Sequence, residues 1–306
     1  MSGPAKSAPT AVFDRRAVSR HRDRAAPGLD QHEFLLREVA ERLADRLDDV
    51  KRRFPLALDV GCHTGQMARQ LGRRGGIEAL VRCDLSPAMA ARAGPFAVAA
   101  DEEALPFAEE SFDLVLSCLS LHWVNDLPGA LVQVRRALKP DGLFLAAMLG
   151  GDSLAELRAS FAEAEIAEEG GLSPRVSPFA DVRDAGHLLQ RAGFALPVVD
   201  TDAITVSYGN PGRLMADLRG MGESNAVAER RKGFTRRATL GAAQARYRAL
   251  FGGADGHVAC TFRVLYLTAW APHPSQQKAL APGSARARLA DALGTTEIPA
   301  GDKAKP

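Results

Sequence analysis

The sequence predicts an α/β protein built on a doubly wound sheet of seven strands, with a mostly helical insertion near the C-terminal end. Three observations carry this. Short apolar runs, of the kind buried on both faces, alternate with helical segments. Three consecutive runs end in acids, Asp59, Asp84 and Asp101. A glycine turn, "GCHTG" at 61–65, follows the first run. Together they describe a Rossmann-like sheet with a ligand site beyond the carboxyl ends of its strands.

Residues 1–12 are rich in Ser, Pro and Ala and read as loose. From Phe34 to Val50, Leu35, Val39, Leu43 and Leu47 recur every fourth position, which makes one face of a packing helix. Strands are expected at 56–60 "LALDV", 79–84 "ALVRCD", 96–101 "FAVAAD", 112–117 "FDLVLS" and 143–148 "LFLAAM". Between the last two, Leu131, Val134 and Leu138 keep helical spacing up to a Pro-Asp-Gly stop. Helices follow over 153–169 and 181–192, the second closed by Gly193. A strand is expected at 198–208. The stretch 211–250 reads as helical, broken at Gly220, Gly222, Gly233 and Gly241. Residues 258–272 form a long strand with Phe262, Val264, Tyr266, Thr268 and Trp270 on one face. This gives an N-terminal extension (1–30), a main domain (31–272, insertion about 210–252) and a C-terminal tail (273–306).

Bulk properties narrow the function. The net charge of +2 gives no broad electrostatic footprint for nucleic acid. No apolar run approaches the roughly 20 residues that span a bilayer. The basic segment Arg15 to Arg24 is interrupted by Asp14 and Asp23, which makes a poor presequence. The four cysteines, Cys62, Cys83, Cys118 and Cys260, form no C-x-x-C pair and read as core packing in a reducing compartment.

No Lys or Arg lies within 61–68, and the phosphate-loop motif is absent. Three carboxylates beside it would repel a polyphosphate. Asp84 follows Gly65 by nineteen residues, near the roughly 20 at which an acid meets a ribose diol. Asp59, just before the first glycine, can meet an ammonium group. An amino acid joined to ribose and adenine fits this set, and that ligand is S-adenosylmethionine. Gly61 and Gly65 would let the backbone approach it. Asp84 with Leu85 would hold the ribose, Asp101 and Glu102 would meet the adenine, and Ser117 would lie at the fourth strand end. His63 stands where such loops often carry glycine. It reads as a tolerated loop residue near the amino-acid end, pointing outward if its φ is negative.

The "SCLSLHW" run after the fourth strand marks the edge of an acceptor pocket. His122 and Trp123 are the catalytic candidates, because they can orient an acceptor group by hydrogen bonding and stacking. The "HRD" at 21–23 matches part of a non-haem iron motif. It lies outside the strand–helix pattern, so no metal is expected.

"ALDVGCHTG", "DEEALPF", "SFDLVLS" and "LKPDGLF" resemble the class I S-adenosylmethionine-dependent methyltransferases, of the branch that includes malonyl-acyl-carrier-protein O-methyltransferase. A narrower set resembles the mitochondrial complex I assembly factor 5 family and its bacterial relatives. It comprises "LSLHWVNDLPGAL", "GGDSLAELR", "EEGGLSPRVSPF", "GHLLQRAGF", "VDTD", "DLRGMGESN" and "HPSQQ". The resemblance runs from Phe13 to Gln277. It implies the methyltransferase fold, S-adenosylmethionine as cofactor, and hydroxylation of one arginine in the quinone-site iron–sulfur subunit of NADH dehydrogenase (complex I). The location it implies is cytoplasmic in a bacterium or the mitochondrial matrix in a eukaryote, with room for peripheral membrane association. The alternatives are an O-methyltransferase such as the malonyl-acyl-carrier-protein enzyme and a non-catalytic assembly chaperone. "GMGESN" and "SQQ" favour the assembly family.

Overall fold

The computed structural model describes residues 11–277, 284 and 287–296. The first ten residues of the expected loose segment lie outside this range, as does much of the expected tail. Two compact units divide at Pro272/His273. The first takes in residues 11–30 together with the sheet, because the N-terminal helix packs into it. The second contains one short helix, Leu289–Leu293.

The first unit opens with α1 (Arg15–Ala25), capped by the Asp14 carboxylate, which accepts from the Ala17 N–H. Helix α2 (Phe34–Asp45) follows and buries Leu35, Val39 and Leu43 as its spacing requires. Then come β1 (Leu56–Val60), α3 (Gln66–Leu71), β2 (Ala79–Asp84), α4 (Pro87–Arg92), β3 (Ala97–Ala99), β4 (Phe112–Cys118), α5 (Leu127–Ala137) and β5 (Leu138–Leu149). The remainder is α6 (Ala155–Glu169), α7 (Val182–Arg191), β6 (Ala195–Tyr208), α8 (Pro211–Gly220), α9 (Arg237–Phe251) and β7 (Val258–Trp270).

The strands form one sheet in the order β3-β2-β1-β4-β5-β7-β6. The first five are parallel, and β7 runs antiparallel to both β5 and β6. Successive residues of the central strands feed opposite layers. Ala57, Leu114 and Leu116 join the layer containing α2 and β7's Phe262, Val264 and Tyr266. Leu58, Val60 and Val115 join the layer containing α5 and α7. The chain reverses its direction of travel across the sheet between β1 and β4, which opens a crevice above their carboxyl ends. At the far edge, β6 is mostly exposed, and its Asp200 and Asp202 pair with Arg46 and Arg42. Charged side chains of this kind discourage strand addition at an open edge.

Two elements differ from the sequence pattern. The third strand shrinks from six expected residues to three, since Phe96 takes φ +57° and Asp101 turns back to bridge Ala104. Gly241 does not break the insertion but lies inside α9, in open space where an isolated glycine is tolerated. The real interruption is 221–236, a non-helical segment between α8 and α9.

Candidate functional site

The strand ends and the turns that follow them build the site. β1 delivers Asp59 and the turn 61–65, β2 delivers Asp84, the short β3 leads into Asp101 and Glu102, and β4 leads into Ser117 and the 3₁₀ turn Leu121–Trp123. Gly61 and Gly65 have φ of +70° and +88°, and His63 has +47°. The turn is therefore left-handed at three of its five residues, which only glycine adopts freely. A Cβ on Gly61 would collide with Ser120, and one on Gly65 with the Ala93 carbonyl. Both glycines are thus required by protein packing as well as by any ligand.

His63 does not point outward. It is 1% exposed, and its Nε2–H donates to the Cys118 carbonyl at 3.1 Å. Burial and the nearby Arg22 cation push the imidazole below its ordinary pKa and keep it neutral. The negative φ on which an outward side chain depended is not adopted, and the buried carbonyl beyond β4 gives an inward imidazole a partner. That contact outweighs the modest cost of positive φ for a histidine.

Asp84 accepts from the His63 N–H (2.9 Å) and the Ser86 N–H (2.8 Å). The sequence pattern gave no warning of its third neighbour. Arg22 of α1 is fully buried, with Nη1 at 3.4 Å from Asp84 and 3.1 Å from Glu102, and Nη2 donating to Ser120 Oγ at 2.9 Å. Two turns earlier on α1, Arg15 pairs with Asp101 at 2.5 Å and with Glu102. Burial alone would raise the Glu102 pKa, but the two guanidiniums outweigh it and hold the carboxyl well below its usual range. Leu85 joins the same junction: its carbonyl receives the Ser19 hydroxyl, and its side chain packs against the apolar cluster that contains Phe13, Val18 and Trp123. Helix α1 therefore lies across the acids expected to hold ribose and adenine.

Asp59 and Ser117 are different. Both are fully buried, and neither Asp59 oxygen nor Ser117 Oγ has a hydrogen-bond partner among the described residues. Burial pushes the Asp59 carboxyl up to about 7.

His122 and Trp123 converge on a residue that sequence spacing did not single out. Glu223, in the 221–236 segment, receives His122 Nε2–H at 2.9 Å and Trp123 Nε1–H at 2.8 Å, both on Oε2. A hundred residues separate it from its donors, so no local pattern marks it; the "GMGESN" run was the only signal. Glu223 and Trp123 line a cavity of about 340 Å³ whose walls include Phe161, Phe179 and Leu218. The "HRD" residues do other work. His21 Nδ1 lies 3.1 Å from the Ser224 carbonyl, and Asp23 accepts from Ser86 Oγ at 2.5 Å. Among the described residues no His/Cys/Asp/Glu cluster is arranged to hold a metal.

Known proteins resemble this chain in sequence and fold. Residues 58–146 match the methyltransferase domain family. Arginine-hydroxylase NDUFAF5 from Danio rerio is 47% identical over 287 residues, covering 92% of this chain and 89% of its own length. Malonyl-[acyl-carrier protein] O-methyltransferase from Halorhodospira halophila is 38% identical, covering 90% of this chain and 94% of its own length. The crystal structure of YcgJ from Bacillus subtilis, 15% identical, superposes with a TM-score of 0.52 over 76% of this chain and 98% of YcgJ, which shows the shared fold. At that identity and coverage, the chain belongs to the arginine-hydroxylase NDUFAF5 family.

Proposed function

We propose that the chain binds S-adenosylmethionine at the strand ends and hydroxylates an arginine of respiratory complex I, in its quinone-site iron–sulfur subunit. The observation that carries this is the position of the Leu121–Trp123 turn. Trp123 packs on α1 beside the strand-end acids and also lines the cavity. A cofactor and a protein side chain can therefore be held on either side of one turn.

The residues present fit the cofactor. Asp59 is a buried carboxylate without a donor, which suits an ammonium group, and Ser117 is a second unpartnered group. Asp84 and Glu102 suit ribose and adenine once Arg22 and Arg15 yield them. When bound, the cofactor would supply an activated methyl group, which serves methyl transfer; hydroxylation takes its oxygen from an oxidant supplied from outside the described residues. The chain's own residues orient and desolvate: Asp59 holds positive charge, the 61–65 turn excludes water, and His63 stays neutral as a hydrogen-bond strut.

Methyl transfer is the second reading. The 38%-identical O-methyltransferase favours it, as does Arg219 in the cavity lining, an exposed cation that suits a carboxylate substrate. No helix among the described residues is long and apolar enough to cross a membrane. The test is mass spectrometry of the quinone-site subunit from cells with and without the gene. One oxygen lost from a single arginine on deletion supports hydroxylation. Loss of one methylene points to methyl transfer. Defective assembly with no mass change at any arginine overturns both in favour of a chaperone.

A further inference from the structure

We infer that Glu223 is the guanidinium anchor of the acceptor site, held in place by His122 and Trp123 at the inner wall of the 340 Å³ cavity. This deepens the arginine reading above and rests on it.

The argument begins with the two oxygens of Glu223. Oε2 takes both N–H donors, which fixes the carboxylate plane. Oε1 accepts no hydrogen bond among the described residues. A carboxylate accepts only, so His122 must donate from Nε2, while its Nδ1 has no hydrogen-bond partner among the described residues. The Glu223 side chain is 10% exposed and that of His122 1%. Burial raises the carboxyl pKa, but the His122 N–H donor and the Arg22 cation outweigh it and bring it below its ordinary value, so the group stays ionised. A half-satisfied buried carboxylate facing a cavity is a costly feature unless a cationic donor meets it.

The cavity walls suit a planar cation. Trp123 and Phe179 lie near the carboxylate, with the Phe179 ring 6.0 Å from that of His122. The same cavity already stacks one guanidinium on an aromatic face: Arg175 lies 5.5 Å over the Phe161 ring. Its volume falls within the range of small-ligand sites, about 300–1,000 Å³.

The lining arginines need an account, because cations would repel a guanidinium. Arg175 is paired with Glu165, Arg230 with Asp14, and Arg231 with Glu169. Arg219 has no ion-pair partner among the described residues and is the exposed member of this set of lining arginines. The charge pattern is thus a largely buried anion and an exposed, unpaired cation. It fits an arginine side chain entering from a segment with an acidic residue beside it.

The test uses the full chain and three synthetic peptides, Glu-Xaa-Glu flanked by glycines, with arginine, citrulline or lysine at Xaa. Citrulline keeps the shape and removes the charge. Calorimetry should show the arginine peptide binding wild type at least tenfold tighter than the citrulline peptide. Glu223→Gln should abolish that ratio. Glu223→Asp should restore part of it. Equal affinity for arginine and citrulline in the wild type overturns the proposal, as does an undiminished ratio in Glu223→Gln or no binding of the arginine peptide. Should Glu223→Gln fail to fold, the wild-type ratio decides, and Phe179→Ala at the partly exposed wall replaces it. The two readings fail separately. Arginine modified equally in cells carrying wild type or Glu223→Gln sinks the anchor and spares the hydroxylase. A Glu223-dependent peptide ratio with no modified arginine in cells sinks the hydroxylase and spares the anchor.

Discussion

Asp59 is a carboxylate that folding removes from water without supplying a donor among the described residues. Its pKa rises from an ordinary 3.8 to about 7 on folding. Between those values the folded chain holds a proton that the unfolded chain has lost. Stability contributed by the site is therefore present at low pH and falls as pH rises toward 7. Asp59→Asn cannot ionise, so at pH 8 the ligand-free variant should be more stable than wild type, by up to about 4 kcal/mol. Urea unfolding across pH 5–8 checks this: the difference should shrink as pH falls. The variant should also bind S-adenosylmethionine more weakly, since the ammonium loses its counter-charge. His63 gives the opposite balance. His63→Gly relieves a positive φ worth about 1 kcal/mol. It also strands the Cys118 carbonyl and empties a buried space, at a cost of about 2–3 kcal/mol. A net loss of about 1–2 kcal/mol is expected in denaturant melts.

At the scale of elements, α1 is the part whose role the sequence concealed. Arg15 and Arg22 are seven positions apart, two turns on one helix face, and both reach the strand-end acids. Arg22→Ala leaves Asp84 and Glu102 buried beside one cation fewer, and stability should fall by about 3–5 kcal/mol. Because the acids are then freed for ribose and adenine, added S-adenosylmethionine should raise the melting temperature more in the variant than in wild type. A smaller rise would make Arg22 a cofactor ligand rather than its rival. The strands were legible because burial on both faces writes uninterrupted apolar runs, and the acids were legible because they sit at fixed places after those runs. The inward turn of His63, the reach of α1 and the place of Glu223 were not. Each depends on a partner 55 to 101 residues away, chosen by tertiary packing. The "HRD" and "GMGESN" runs were visible as text, but nothing local said what they touch.

For the molecule as a whole, the four thiols are distributed as built-in reporters. Cys62, Cys83 and Cys118 lie beneath the strand-end cluster and Cys260 lies in β7, all of them buried. Burial pushes every one of these thiols well above its ordinary pKa, so the reactive thiolate is scarce in the native state. A thiol reagent at pH 8 should label the native chain far more slowly than the unfolded one. If α1 lifts by itself, Cys62 should react before Cys260, and cofactor should slow that first phase. The strap that α1 lays across the acids also has a kinetic consequence. A ligand that needs Asp84 and Glu102 must wait for Arg22 to leave them. In rapid-mixing experiments the observed association rate should then stop climbing with S-adenosylmethionine concentration. It should level off at the rate at which the helix opens, making the N-terminal helix a clock for the whole reaction cycle.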